Sequence, residues 1–344
     1  MIGEGMICFC DAIAPPSVGA SFPENHKNLA AFARAGEACR NGSGLLSGAS
    51  LNSVIMNTNG AYESALEGRR FRKMHGLGND FVVLDARAEP LTLSAAQIAG
   101  LANRRTGIGC DQLIVLEPGD AEAEAFMRIY NSDASQVSAC GNATRCVARL
   151  LMAETGASEA RIRTRAGLLR ATRAADGGIT ADMGPAILEW DRIPLAVPCD
   201  TLHAPYSLEP LVDPVCVSMG NPHAVFFVPE VDAVDLETLG PAIETDSFFP
   251  EKTNVEIVQQ IGPDTLRMRV WERGVGITQA CGTGACATLV AAARRGLTGR
   301  KAKVVLDGGV LEIEWAGNGH VLMTGSATLV GEGTLHELET EKPA

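Results

Sequence analysis

Ala139-Cys140-Gly141-Asn142 and Ala280-Cys281-Gly282-Thr283 decide the reading of this chain. Each follows a strand-like run, Phe126 to Tyr130 or Leu266 to Trp271, and precedes an Ala-rich helical pattern. Each therefore places a thiol at a helix N-terminus, where unpaired N–H groups and the positive dipole end favour an anion. The following glycine lets a ligand approach the backbone. A single such cysteine also reads as a plain buried thiol, so the case rests on whether the two are related.

They are related by a tandem duplication. Cys281 lies 141 residues after Cys140, and other landmarks recur at 141 or 142. Gly78-Asn79 matches Gly220-Asn221, Gln112 matches Asn254, and Arg128-Ile129-Tyr130-Asn131 matches Arg269-Val270-Trp271-Glu272. Ala166-Gly167 matches Gly308-Gly309, and Met183-Gly184 matches Thr324-Gly325. A repeat this long makes two domains rather than a solenoid, whose units run about 20–50 residues. Two like domains facing across a pseudo-twofold axis set their helix N-termini, and so their thiols, on either side of one cleft.

Working outward, strands are expected at Phe71 to His75, Phe81 to Asp85, Leu113 to Leu116 and Arg161 to Met183, with a helix N-capped by Ser94. The second half repeats this order. Gly107-Ile108-Gly109 lacks the third glycine and the following helix of a dinucleotide loop. The expected fold is α+β: two homologous domains, each a mostly antiparallel or mixed sheet curled around a central helix. Residues 71–186 form the first domain and 187–326 the second. Residues 327–338 have no strand to pair with in their own half and are expected to return to the first, leaving 339–344 as a tail.

Residues 1–70 have no repeat partner and carry five basic and six acidic side chains, so nearly all of the net charge of −12 resides in the remainder. We read them as a disordered extension or the product of a start assigned too far upstream; they make a poor signal peptide. The acidic balance argues against nucleic acid or an anionic membrane as partner, and no apolar run reaches the 18 or so residues of a membrane span. The ten cysteines lack the paired spacing of a zinc site, in a chain too long to need disulfide staples. Reduced thiols, a cytoplasmic location and no metal or cofactor are the expectation.

Two opposed thiols suit removing a proton from one face of a carbon and returning one to the other. One thiol must lose its proton near neutrality, from a reference pKa of about 8.5, while the other keeps it.

Residues 71–338 resemble the diaminopimelate epimerase family. The resemblance is carried by Lys73-Met74-His75-Gly76-Leu77-Gly78-Asn79-Asp80-Phe81, Gly107-Ile108-Gly109-Cys110-Asp111-Gln112, the two Cys-Gly motifs, Gly220-Asn221-Pro222-His223 and Glu272-Arg273-Gly274. It implies cofactor-independent interconversion of LL- and meso-2,6-diaminopimelate, for lysine and peptidoglycan precursors, by a homodimer. It implies that Cys140 and Cys281 are the acid/base pair, with His223 tuning Cys140 and Glu272 tuning Cys281. The reacting carboxylate would sit on the amides of Gly141-Asn142 and Gly282-Thr283. The distal amino-acid end would be held by Asn79, Asn131, Asn221, Asn254 and Arg273, with Gln112 and Glu272 nearby. Alone, His223 reads as a core histidine, Glu272 as a strand-end charge and each Asn as a turn residue.

The chain departs from the family pattern at Ala134, Gln136, Ala143 and Ile277, which are expected to modulate rate or packing, Ala143 by narrowing the cleft. Alternatives are a proline- or hydroxyproline-type racemase of the same fold, against which Asn142 and Ala280 count, a thiol-redox protein, and a non-catalytic amino-acid-binding module.

Overall fold

The computed structural model describes residues 66–336; most of the expected N-terminal extension and the 339–344 tail lie outside them. Residues 66–70, before Phe71, belong to the fold. Leu66 is buried in a core cluster that includes Leu335, and Arg70 opens the first strand.

The first half builds one sequence of pairings. Strand Asn79–Asp85 lies antiparallel to Arg70–Gly76 and parallel to Gln112–Pro118. Gln112–Pro118 pairs antiparallel with Ala125–Asn131, which runs parallel to Glu159–Thr164. The meander Glu159–Thr164, Gly167–Arg173, Ile179–Pro185 completes it.

The second half repeats every sense. Pro222–Phe227 is antiparallel to Val215–Ser218 and parallel to Asn254–Gly262. Thr265–Glu272 follows antiparallel, then Lys301–Leu306 parallel, then Gly309–Trp315 and His320–Gly325. The last strands of the two halves, Ile179–Pro185 and His320–Gly325, pair with each other. The fold is α+β and duplicated, as the repeat implies.

The halves also exchange chain ends. Thr328–Thr334 pairs with Arg70–Gly76 of the first half, and Ile187, at the equivalent point of the first repeat, bridges Ser218 of the second.

Among the described residues four α-helices serve this frame. α1 (Ala95–Ala102) starts at the expected cap, where Ser94 and Gln97 form a reciprocal capping box. α2 (Gly141–Thr155) and α4 (Gly282–Arg294) are the central helices, and α3 (Leu236–Glu244) packs against the strands Asn254–Gly262 and Thr265–Glu272 of the second half. In α4 the run from Gly284 through Ala292 is buried without interruption. A helix apolar all round is one surrounded by protein, and its small side chains let strands close on every side. None of these helices is long and apolar enough to cross a membrane.

One turn sets the cleft wall. Leu77 and Gly78, with φ of 56° and 85°, join the first two strands, a two-residue turn of the kind that suits their twist. The left-handed backbone costs a non-glycine residue about 1–2 kcal/mol. Leu77 is buried in the core of the second half, which contributes about 1.5–3 kcal/mol and offsets that strain. The turn is thus pinned across the two halves, and Asn79 follows it directly. Gly107-Ile108-Gly109 leads into the strand Gln112–Pro118, not into a helix.

Candidate active site

The two central helices begin at one cleft of about 830 Å³. From the first half its wall takes Asn79, Gln112, Asn131, Cys140, Gly141 and Asn142. From the second it takes Asn221, Glu272, Cys281, Gly282 and Thr283. His223, Asn254 and Arg273 do not line the cleft. His223 is fully buried; Asn254 donates to the Pro222 carbonyl at 2.8 Å and accepts from the Arg273 N–H at 2.9 Å; the Arg273 guanidinium donates to the Glu251 carbonyl at 2.9 Å.

Both thiols occupy N-cap positions with extended backbone, Cys140 at φ −147° and Cys281 at φ −108°. Their surroundings differ. The Cys281 sulfur accepts the Gly284 N–H at 3.3 Å and lies 3.5 Å from the Thr283 hydroxyl. The Cys140 thiol donates to Asn79 Oδ1 at 3.9 Å.

Burial pushes the Cys140 thiol up, opposed by the Asn142 and Ala143 amides, while Glu272 adds to the push and Arg145 opposes it. Cys281 is pushed well above the ordinary thiol value, first by burial and then by the charges of Glu272 and Glu256. Glu272 bears on both thiols, but Glu256 adds to the push on Cys281 while Arg145 opposes it at Cys140, which makes the pair electrostatically unequal. Burial also raises Glu272, against hydrogen bonds from Thr278 and Cys281.

The hydrogen bonds of His223 run into the second half. Its Nδ1 is 2.7 Å from Glu256 Oε1 and its Nε2 is 3.0 Å from Asn221 Oδ1. Asn221 Nδ2 donates to Thr283 Oγ1 at 3.4 Å, and Thr283 reaches Cys281. Among the described residues no hydrogen bond joins His223 to Cys140, the thiol with which the resemblance pairs it.

Several contributors escaped sequence reasoning. Asp111 Oδ2 accepts from Asn79 Nδ2 at 3.0 Å, which turns the Asn79 oxygen toward Cys140 and Asn142. Arg104 lies at the same end of the cleft, bonded to Asp80 and, at 2.6 Å, to Asp111. Arg145 is fully buried and donates to Asn142 Oδ1 at 2.9 Å. The available signal was a charge inside an otherwise apolar pattern: Arg145 in the Ala-rich helix, Glu256 among Val255, Ile257 and Val258.

The departures sort by position. Ala143 does not narrow the cleft: it is fully buried in the first-half core, because the helix turns its side chain away from the opening. Ile277 does line the cleft. Ala134 adopts φ 68°, a backbone that favours glycine. Gln136 accepts from Arg128 at 3.4 Å.

This arrangement can hold a small zwitterion between two thiols, with helix amides for its carboxylate. The diaminopimelate epimerase family model matches residues 71–189 and 215–330. The diaminopimelate epimerase of Rhodospirillum centenum is 59% identical over 270 residues, covering 78% of this chain and 93% of that one. That of Acidiphilium cryptum is 54% identical over 267 residues, covering 78% and 96%. Among solved structures, a hydroxyproline epimerase from Agrobacterium vitis with bound trans-4-OH-L-proline aligns with a TM-score of 0.54 at 18% identity, over 78% of this chain and 91% of that one; at that identity the likeness is one of fold. Paired thiols at duplicated helix starts, the repeated sheet and these matches over both halves agree, and the chain belongs to the diaminopimelate epimerase family.

Proposed function

We propose that the protein interconverts LL- and meso-2,6-diaminopimelate by two-base proton transfer, without a cofactor. The observation that carries this reading is the pair of N-cap thiols on one cleft, in unequal electrostatic surroundings. One sulfur, as thiolate, takes the proton from the substrate α-carbon. The electron pair left behind passes into the adjacent carboxylate as an enediolate, and the opposite thiol donates its proton to the other face. Configuration inverts, and the two sulfurs exchange protonation states.

The enediolate needs donors, and we assign them to the amides of Gly141-Asn142 and Gly282-Thr283. A well-placed donor in such a site is worth about 2.7–4 kcal/mol. The charge asymmetry supports Cys281 as the thiol that holds its proton in the free enzyme and Cys140 as the one that yields it, with Glu272 setting the Cys281 side. His223 acts through Asn221 and Thr283. We assign the distal amino-acid end to Asn79, Asn131 and Asn221, with Gln112 beside them, and to Asn254 and Arg273, which must give up their bonds to the Pro222 and Glu251 carbonyls to reach it. An arginine matches a carboxylate bidentately, and the amides serve both charges of a zwitterion.

We further infer a cytoplasmic homodimer. The seven described cysteines are all free, in keeping with a reducing compartment. Leu329 and Val330 are exposed on the strand Thr328–Thr334, an apolar pair suited to a partner copy; sedimentation at two protein concentrations tests it.

Purified protein under reducing conditions, incubated with LL-diaminopimelate and followed by chiral chromatography, is expected to yield the meso isomer. No conversion, with an active epimerase run alongside, would remove diaminopimelate as the substrate; turnover of proline or hydroxyproline instead would move the protein to the other racemases of this fold.

A further inference from the structure

Glu256 occupies a position where a carboxylate is costly. It lies in the strand Asn254–Gly262, its exposure is 0%, and the residues on either side, Val255 and Ile257, are buried apolar side chains. Among the described residues one of its oxygens, Oε2, has no hydrogen-bond partner. Removing a carboxylate from water costs several kcal/mol, and an apolar replacement of a buried ion pair is often neutral or stabilising. Core packing alone gives no reason for an acid here.

Two contacts supply the reason. In the parallel pairing His223 stands beside Asn254 and Val225 beside Glu256, so His223 and Glu256 are diagonal neighbours on one face. Glu256 Oε1 meets His223 Nδ1 at 2.7 Å. On its other side the carboxylate approaches the start of α4. A side-chain carbon at Gly284 would stand 2.8 Å from Glu256 Oε1 and 3.2 Å from Cys281 Sγ. The helix is bare where the carboxylate and the thiol come together, and only glycine leaves that approach open.

We propose that Glu256 is a positioning residue of the epimerase site, whose carboxylate locks the His223 ring with Nδ1–H on Glu256 and Nε2 toward Asn221 and the Cys281 end of the cleft. The role in epimerisation rests on the function proposed above. A carboxylate and an amide oxygen only accept hydrogen bonds, so Nδ1–H donates to Glu256 and Nε2–H to Asn221 Oδ1, and the tilt of the ring follows. The chain from Glu256 through His223, Asn221 and Thr283 to the Cys281 sulfur then has a fixed direction. The carboxylate also adds negative charge beside Cys281. The titratable groups within its influence are His223 on Pro222–Phe227, Glu272 on Thr265–Glu272, Cys281 at α4 and Cys216 on Val215–Ser218.

The test is Glu256→Gln, which keeps shape and burial while removing the charge and offering Nδ1 a donor. In protein labelled with 15N-histidine, with His223 assigned by comparison with His223→Gln, the wild-type ring is expected to carry a proton on both nitrogens, and Glu256→Gln to change that pattern. In the epimerase assay kcat is expected to fall about 10–100-fold with KM changed less than about twofold. The limb of the pH–kcat profile that reports Cys281 should move to lower pH, because a negative charge beside the thiol has gone. An unaltered His223 spectrum together with an unshifted profile would overturn the proposal. So would a loss of activity that merely tracks loss of folded protein. Glu256→Met, which preserves an apolar fill, is expected to fold with the wild-type Tm and show the same loss of kcat; wild-type kcat in that variant would contradict the positioning role. The spectrum reports on the ring whatever the substrate, whereas an inactive wild-type enzyme would count against the function reading alone.

Discussion

Arg145 Nη2 donates to Asn142 Oδ1 at 2.9 Å, and among the described residues no carboxylate stands within ion-pairing distance of this fully buried guanidinium. An arginine has no acceptor, so the Asn142 amide can present only its oxygen to it. The NH2 group then faces outward, donating to Asn79 Oδ1 at 3.2 Å and to the Ala280 carbonyl at 3.4 Å. One side chain thus joins the first half of the cleft to the residue preceding the second thiol. The guanidinium itself fits because Gly76 and Gly325 leave space against it.

Replacing Arg145 by Met removes a lone buried cation and leaves an apolar side chain of similar length. We expect Tm to stay within a few degrees of wild type or rise, while kcat falls at least tenfold as Asn142 loses its orientation. Thermal melts and initial rates on the same preparation check it; wild-type kcat in Arg145→Met would show that the Asn142 bridge does not matter.

Each thiol is expected to be indispensable to turnover. Cys140→Ser and Cys281→Ser should each lower kcat by about 10²–10⁴-fold, since a hydroxyl neither ionises near neutrality nor replaces a thiol as acid. Far-UV circular dichroism should be unchanged. A single variant retaining full epimerisation would contradict the two-base scheme.

Gly284→Ala should be damaging out of proportion to one methyl group. The added carbon meets Glu256 Oε1 at 2.8 Å and Cys281 Sγ at 3.2 Å, and both are held in place by packing. Overpacking of this kind costs about 1–3 kcal/mol, measurable by urea titration. Activity should fall further than stability explains; a variant as active as wild type would show that the thiol and carboxylate can separate freely.

Alkaline pH is expected to weaken the fold. Burial pushes Cys146 and Cys286 up to about 12, whereas an unfolded thiol ionises near about 8.5. Between those values the unfolded chain has released protons that the native protein retains, so rising pH favours unfolding, by up to about 1.4 kcal/mol per pH unit for each such thiol. The stability is intact below the unfolded value and is lost as pH climbs toward the native one. Urea titrations from pH 7 to 10.5 in reductant should show it, with a shallower decline in Cys286→Ala. Equal slopes for the two proteins would refute the assignment to that thiol.

The duplication and both thiol positions were legible because they are local and repeated: a Cys-Gly step at a helix start, strands in the same order, landmarks at a constant offset. The Ser94 cap and the return of the segment after Ala327 to the first half followed from the same reasoning. What could not be read was anything depending on a partner distant in the chain. Leu77 looks like an ordinary turn neighbour until its side chain is seen in the core of the other half. Periodicity marks Arg145 and Glu256 as misplaced charges but does not say that one orients Asn142 and the other holds His223. The direction taken by the His223 bonds, toward Cys281, was equally invisible, because it is set by Asn221 and Thr283 together.

Conversion of LL-diaminopimelate in D2O, with the α-deuterium of product and recovered substrate read by mass spectrometry, distinguishes proton transfer by two bases from transfer by one. The two-base account predicts meso product bearing one solvent-derived deuterium while recovered LL substrate, early in the reaction, stays largely unlabelled, because the proton leaves on one face and arrives on the other. Meso product that retains the original α-hydrogen would contradict it, since one group would then have carried the same proton between the two faces.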